Sequence, residues 1–105
     1  MKTSEVLRLM RAKIESGWTQ RWFARTASGY GVSGLFNGAT SWCLVGALQV
    51  ATNNRTPESI GYVNELIGNP WCSWNDDPSR TKEDVLAMLD QAIEAAIKDE
   101  EQQTQ

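Results

Sequence analysis

The sequence predicts a mainly α fold: about four helices around a Trp-rich core, irregular connectors, and room for one short strand pair. Three observations predict it. Apolar residues recur at helical spacing in separate stretches. Five Trp occur in 105 residues, and each indole buries enough area to replace several smaller side chains. Turn-forming residues gather between those stretches. The length suits one domain with one core. Residues 1–99 read as that domain and 100–105 as a polar tail that frays.

The first helix is predicted over 3–16. Val6, Leu7, Met10 and Ile14 share one face, and Lys2, Arg8, Arg11 and Lys13 lie mostly elsewhere. Thr3 or Ser4 suits the cap, and Gly17 the left-handed position past the end. Residues 18–40 are irregular. Trp18, Trp22 and Phe23 are candidate inward anchors there. Ser28 to Gly34 holds three Gly in seven residues, a loop needing unusual backbone angles or close approach. It lacks the Lys of a phosphate-binding loop and a clear preceding strand.

The second helix is predicted over 41–51. Trp42, Cys43, Val45, Ala47, Leu48 and Ala51 make it apolar nearly all round, as a central helix is. Gly46 inside it implies close approach by a helix or a ring. The third helix has Thr56 as cap, Pro57 at the first position and Glu58 in its first turn. Ile60, Val63, Leu66 and Ile67 form its inner face, and Gly68 ends it. Asn69 to Arg80 is turn-rich and carries Trp71, Cys72 and Trp74. The optional strand pair lies near 20–24 and 71–74. The last helix begins at the Thr81 cap, with Glu83 and Asp84 in its first turn. Val85, Leu86, Leu89, Ile93, Ala96 and Ile97 repeat at helical spacing.

Charge is unevenly spread. Residues 1–26 carry six basic and two acidic residues, a local +4, and residues 81–105 carry two basic and seven acidic, a local −5. The two ends can meet within one chain or between two. The overall net charge of −3 argues against a duplex-DNA binder. No signal peptide or membrane-length apolar run is present, so a cytoplasmic location is expected and no membrane partner. Cys43 and Cys72 read as reduced, buried thiols rather than a disulfide or metal pair. No His occurs, which removes Ser-His-Asp and Cys-His catalysis and most transition-metal sites. No catalytic residue, metal or cofactor is therefore expected.

Three pieces of the chain carry a resemblance. They are Trp18 closing the first helix, Trp42-Cys43 followed by Gly46-Ala47-Leu48, and Trp74-Asn75-Asp76 with Pro78, Arg80-Thr81 and Asp84-Val85-Leu86. Together they resemble a family of small uncharacterised helical proteins of bacteria and their phages, a domain of unknown function. The resemblance implies a compact helical domain and a phage or mobile-element origin. It supplies no catalytic residues, and the 28–34 segment lies outside its pattern.

Two constellations compete for function. Trp18, Arg21, Trp22, Arg25 and Tyr30 interleave aromatics with Arg, the composition that stacks bases and pairs phosphates. The plainer reading makes the Trp core anchors and the Arg solvated. Asn75, Asp76, Asp77 and Arg80 could bind a cation or act as acid and base, but Asn and Asp before Pro are turn formers. Asn75, Asp76 and Arg80 are therefore read as a structural turn in which Asp76 pairs with Arg80. The expected function is a non-enzymatic binding protein for a small anionic, nucleotide-like ligand. The alternative is an inhibitor that contacts a host protein through the acidic last helix. Self-association is a further expectation, because a small domain often completes a pocket with a second copy.

Overall fold

A computed structural model describes residues 2–53, 59–68 and 70–103. The chain order is α1 (Thr3–Ser16), β1 (Ala24–Thr26), β2 (Gly31–Val32), β3 (Ala39–Trp42), α2 (Leu44–Thr52), α3 (Ser59–Ile67), α4 (Trp71–Asn75) and α5 (Lys82–Gln103). Helices dominate, as predicted. α1 packs against α5 and α2, and α3 packs on α5. The small antiparallel sheet has the order β2-β1-β3.

Helix α1 buries Val6, Leu7, Met10 and Ile14, the face its spacing predicts. Its cap differs from the expectation. Lys2 occupies the cap position and contributes no side-chain bond. Instead the Ser4 amide and hydroxyl donate to the Glu100 carboxylate at 3.0 and 2.7 Å. A carboxylate there satisfies a free helix N–H and opposes the positive end of the dipole. Helix α5 continues to Gln103, past the Glu100 that makes these bonds. The basic start meets the acidic end within one chain, since Arg11 pairs with Asp90 of α5 at 2.5 Å, as well as with Glu15 on its own helix.

Gly17 is not left-handed; its φ of 176° is extended backbone. Glycine is needed because the Thr40 carbonyl oxygen lies where a Cβ would stand. That approach lets the chain after α1 pair with β3. The Trp42 amide donates to the Gly17 carbonyl at 2.9 Å, and the Thr19 amide donates to the Trp42 carbonyl at 3.1 Å. Ser41 and Trp42 therefore end strand β3 rather than open the helix predicted over 41–51. The partner of Trp42 across β1 is Ala24.

Cys43 caps α2, its sulfur accepting from the Gly46 amide at 3.4 Å. The close neighbour that Gly46 implies is the Phe23 carbonyl, whose oxygen fills the Cβ position. The same carbonyl accepts from the Cys43 amide at 3.0 Å. Leu44 and Ala47 are buried, and Val45, Leu48 and Ala51 pack partly buried against the core.

In α3, Val63 is buried and Ile67 packs on the core, but Leu66 is exposed. Gly68 closes the helix at φ +71°. The predicted Thr56 cap, Pro57 and Glu58, the Ile60 side chain, Asn69 and the last two residues of the tail lie outside the described residues. The predicted strand at 71–74 is helix α4 instead. Trp71 and Asn75, four residues apart, are both buried, a helical rather than an alternating pattern. The sheet forms from 24–26, 31–32 and 39–42. At α5 the predicted cap is present and reciprocal: the Thr81 amide donates to Asp84 at 3.0 Å, and the Asp84 amide donates to the Thr81 hydroxyl at 3.1 Å.

Candidate functional site

Beside the sheet lies a cleft of about 610 Å³, a volume typical of small-molecule sites. Trp22, Phe23 and Val32 make its lining mainly apolar. Arg21, Ser33 and Asp76 supply polar groups, and the thiols of Cys43 and Cys72 complete it.

The segment 19–23 is held against α4 by Asn75, which is fully buried. The Asn75 side-chain oxygen accepts from the Trp18 indole N–H at 2.9 Å and the Leu44 amide at 3.3 Å. Its amide nitrogen donates to the Thr19 carbonyl at 3.1 Å and to Asp76 at 3.0 Å. Every hydrogen-bonding position of this amide is thus used. Gln20 adds two bonds, donating to the carbonyls of Asn75 and Asp77 at 3.0 and 2.9 Å.

Arg21 takes φ +75°, unusual outside glycine. The Asp76 carboxylate stabilises it there by accepting from the Arg21 amide at 2.8 Å. With the backbone so turned, Arg21, Trp22 and Phe23 all reach the cleft. The Trp22 ring lies against Gly31, where a Cβ would collide with the indole.

The predicted ligand residues therefore separate. Arg21 and Trp22 line the cleft; Trp18, Arg25 and Tyr30 do not. Trp18 packs on the core and is tied to Asn75. Arg25 clamps its own loop, donating to the Thr19 hydroxyl at 2.9 Å and to the carbonyls of Gly29 and Gln20 at 2.9 and 3.1 Å. Tyr30 stands 73% exposed at the β1–β2 turn.

The expected structural turn also divides. Asn75 is the last residue of α4 and an internal hub, not a turn residue. Asp76 does not pair with Arg80, because its carboxylate faces Arg21 and Asn75. Arg80 instead donates to the Trp74 carbonyl at 2.9 Å and stacks over the Trp74 ring at 3.8 Å. The turn itself belongs to Asp77. Its carboxylate accepts from the Ser79 amide and hydroxyl, and those bonds hold it below the usual carboxylate range.

Sequence reasoning missed Phe23, Val32, Ser33 and both cysteines as cleft residues. The two Trp-Cys pairs held an unread signal: Trp42 and Trp71 enter the core, and Cys43 and Cys72 both reach the cleft. Both are free thiols. Burial pushes the Cys43 thiol up to about 11. Burial, then the Asp76 charge, raises that of Cys72. Neither thiol is an activated nucleophile in this setting. Among the described residues no three His, Cys, Asp or Glu side chains gather to hold a metal. Among them, too, no helix is long and apolar enough to cross a membrane.

No curated protein and no solved structure matches the chain. A family match does cover residues 1–95, nearly the whole length. The chain therefore belongs to DUF6197, a family of unknown function.

Proposed function

We propose that this is a non-enzymatic binding protein whose Trp22 cleft holds a small planar ligand bearing no more than one anionic group. The observation that carries the reading is the cleft's composition. An aromatic wall of Trp22 and Phe23 faces a single guanidinium, Arg21, with the Asp76 carboxylate in the same lining. A ring system gains stacking on the indole, and one anionic group gains Arg21. A polyphosphate would meet one cation and an opposing carboxylate, since Arg25 is committed to its own loop. Nucleosides, nucleoside monophosphates and cyclic nucleotides fit this pattern; triphosphates do not. A bacterial or phage origin and a cytoplasmic location complete the proposal, on the strength of the Trp-Cys and Trp-Asn-Asp motifs.

The host-inhibitor alternative draws less support. Asp90, Asp99 and Glu100 on α5 are engaged by Arg11, Tyr62 and Ser4 of the same chain. That leaves fewer acids to present to a partner.

Thermal-shift and tryptophan-fluorescence titrations with those three ligand classes test the proposal. Saturable binding is expected for at least one class, and Trp22→Ala should abolish it with the protein still folded and its melting temperature only moderately lowered, because the indole is 54% exposed. Failure of all three classes against folded protein would remove the ligand reading.

A further inference from the structure

Among the described residues, seven large apolar side chains are exposed, and five of them come from one short stretch: Trp22, Phe23, Tyr30, Leu35 and Phe36. Close approaches at three glycines tie this stretch into one lobe. The Trp22 ring covers Gly31, next to Tyr30; the Phe23 carbonyl sits on Gly46; and Gly34, next to Leu35, sits on Gly46 as well. β2, an outer strand of the sheet paired on one side only with β1, belongs to the same lobe. An open strand edge is a template for a second chain.

The exposed area is large for a chain of this size. At about 200 Å² per aromatic side chain, the exposed fractions of the four aromatic rings leave about 450 Å² open. Patches of that size mark interaction sites, and a standard interface takes about 800 Å² from each partner. Leu35 and the neighbouring Gly-rich backbone supply further area.

Charge decides what covers the patch. From Thr26 to Asn54 the sequence contains no Asp, Glu, Lys or Arg. Arg25, just before it, spends its guanidinium on Thr19, Gln20 and Gly29. Arg21 and Asp76 stand at the cleft edge of the patch, beside Trp22 and Phe23, so the uncharged part is the stretch that carries Tyr30, Leu35 and Phe36. Two copies that meet through the uncharged stretch 26–54 set no like charges against each other there. Interface centres have this composition, enriched in aromatics and depleted of charge. We infer that the aromatic lobe of residues 22–36 is a self-association surface, closed by a second copy of this chain about a twofold axis.

Trp22 and Phe23 are shared with the ligand cleft, but Tyr30, Leu35 and Phe36 do not line it, so variants at those three test the inference separately from the ligand reading. Sedimentation velocity on the full chain, from about 1 to about 500 µM, tests it by mass action. A dimer fraction that rises with concentration is expected. Tyr30→Glu and Phe36→Glu place like charges against each other and should each weaken the dimer about tenfold or more, with the far-UV spectrum unchanged. Leu9→Glu, an exposed site on α1, should leave the dimer intact. A wild-type chain that stays monomeric throughout overturns the inference. So does a dimer that survives both lobe variants, or one that Leu9→Glu abolishes.

Discussion

Replacing Asn75 by Leu isolates the contribution of its hydrogen bonds, because Leu has nearly the same shape and leaves little cavity. Three buried or half-buried groups lose their partner: the Trp18 indole N–H, the Leu44 amide and the Thr19 carbonyl. Each such group left unpaired costs about 1–3 kcal/mol; two of the three bonds are only part-buried, so at about 1–2 kcal/mol per group the variant should lose about 3–6 kcal/mol. A domain of this size has about 5–15 kcal/mol in total, so the loss is a large share. Urea unfolding followed by tryptophan fluorescence reads it. With a slope of about 1.5 kcal/mol per M, the midpoint should fall by about 2–4 M at unchanged slope. A double-mutant cycle with Trp18→Phe sharpens the test. Phe has no N–H to orphan, so Asn75→Leu should cost less in that background, by about 1 kcal/mol or more. A loss below about 1 kcal/mol for Asn75→Leu would refute the assignment of Asn75 as the hub that holds residues 18–21 against α4.

Other positions give independent expectations. Gly46→Ala gains about 1 kcal/mol in helix propensity but drives a Cβ into the Phe23 carbonyl. The melting temperature should fall by about 10 °C or more, and a rise on calorimetry would contradict the close approach. The two Ser4 bonds hold the Glu100 carboxyl below its usual range. Its contribution is therefore present above pH 4.5 and is lost as the pH falls through the depressed folded value. The stability gap between wild type and Glu100→Ala should follow that course in urea melts taken from pH 7 downward; a pH-independent gap would contradict it. Native protein should release one equivalent of chromophore with a thiol reagent, from half-exposed Cys72, and two in denaturant, because Cys43 is buried. Equal labelling rates for the two thiols would contradict the burial of Cys43.

Among the described residues, four of the five helices were legible in the sequence because their determinants are local; α4 was not. The α1 face, the Thr81 cap and the stop at Gly68 each follow from residues within a turn or two of one another. The sheet was not legible. Its strands are two to four residues long, too short for alternation to register. Gly46 has the close neighbour its place implies, but that neighbour is the Phe23 carbonyl rather than a helix or a ring; Gly17 is glycine not for a left-handed turn but because Thr40, 23 residues further along, approaches it. The site divided on the same principle. Arg21 and Trp22 reach the cleft as predicted, but Arg25 looks equivalent in sequence and differs only because three acceptors around its loop consume its donors. Asn75 carries the signature of a turn former, and only its burial between Trp18, Thr19 and Leu44 makes it a hub.

The central claim is that the Trp22 cleft is where this chain meets its ligand. Amide chemical-shift mapping on isotope-labelled protein, titrated with adenosine monophosphate and cyclic adenosine monophosphate, addresses it directly. The account predicts saturable shifts confined to Arg21–Phe23, Gly31–Ser33 and the Cys72–Asp76 stretch, and their loss in Trp22→Ala. Shifts centred on the α1–α5 surface, or none at concentrations up to about 1 mM, would contradict it.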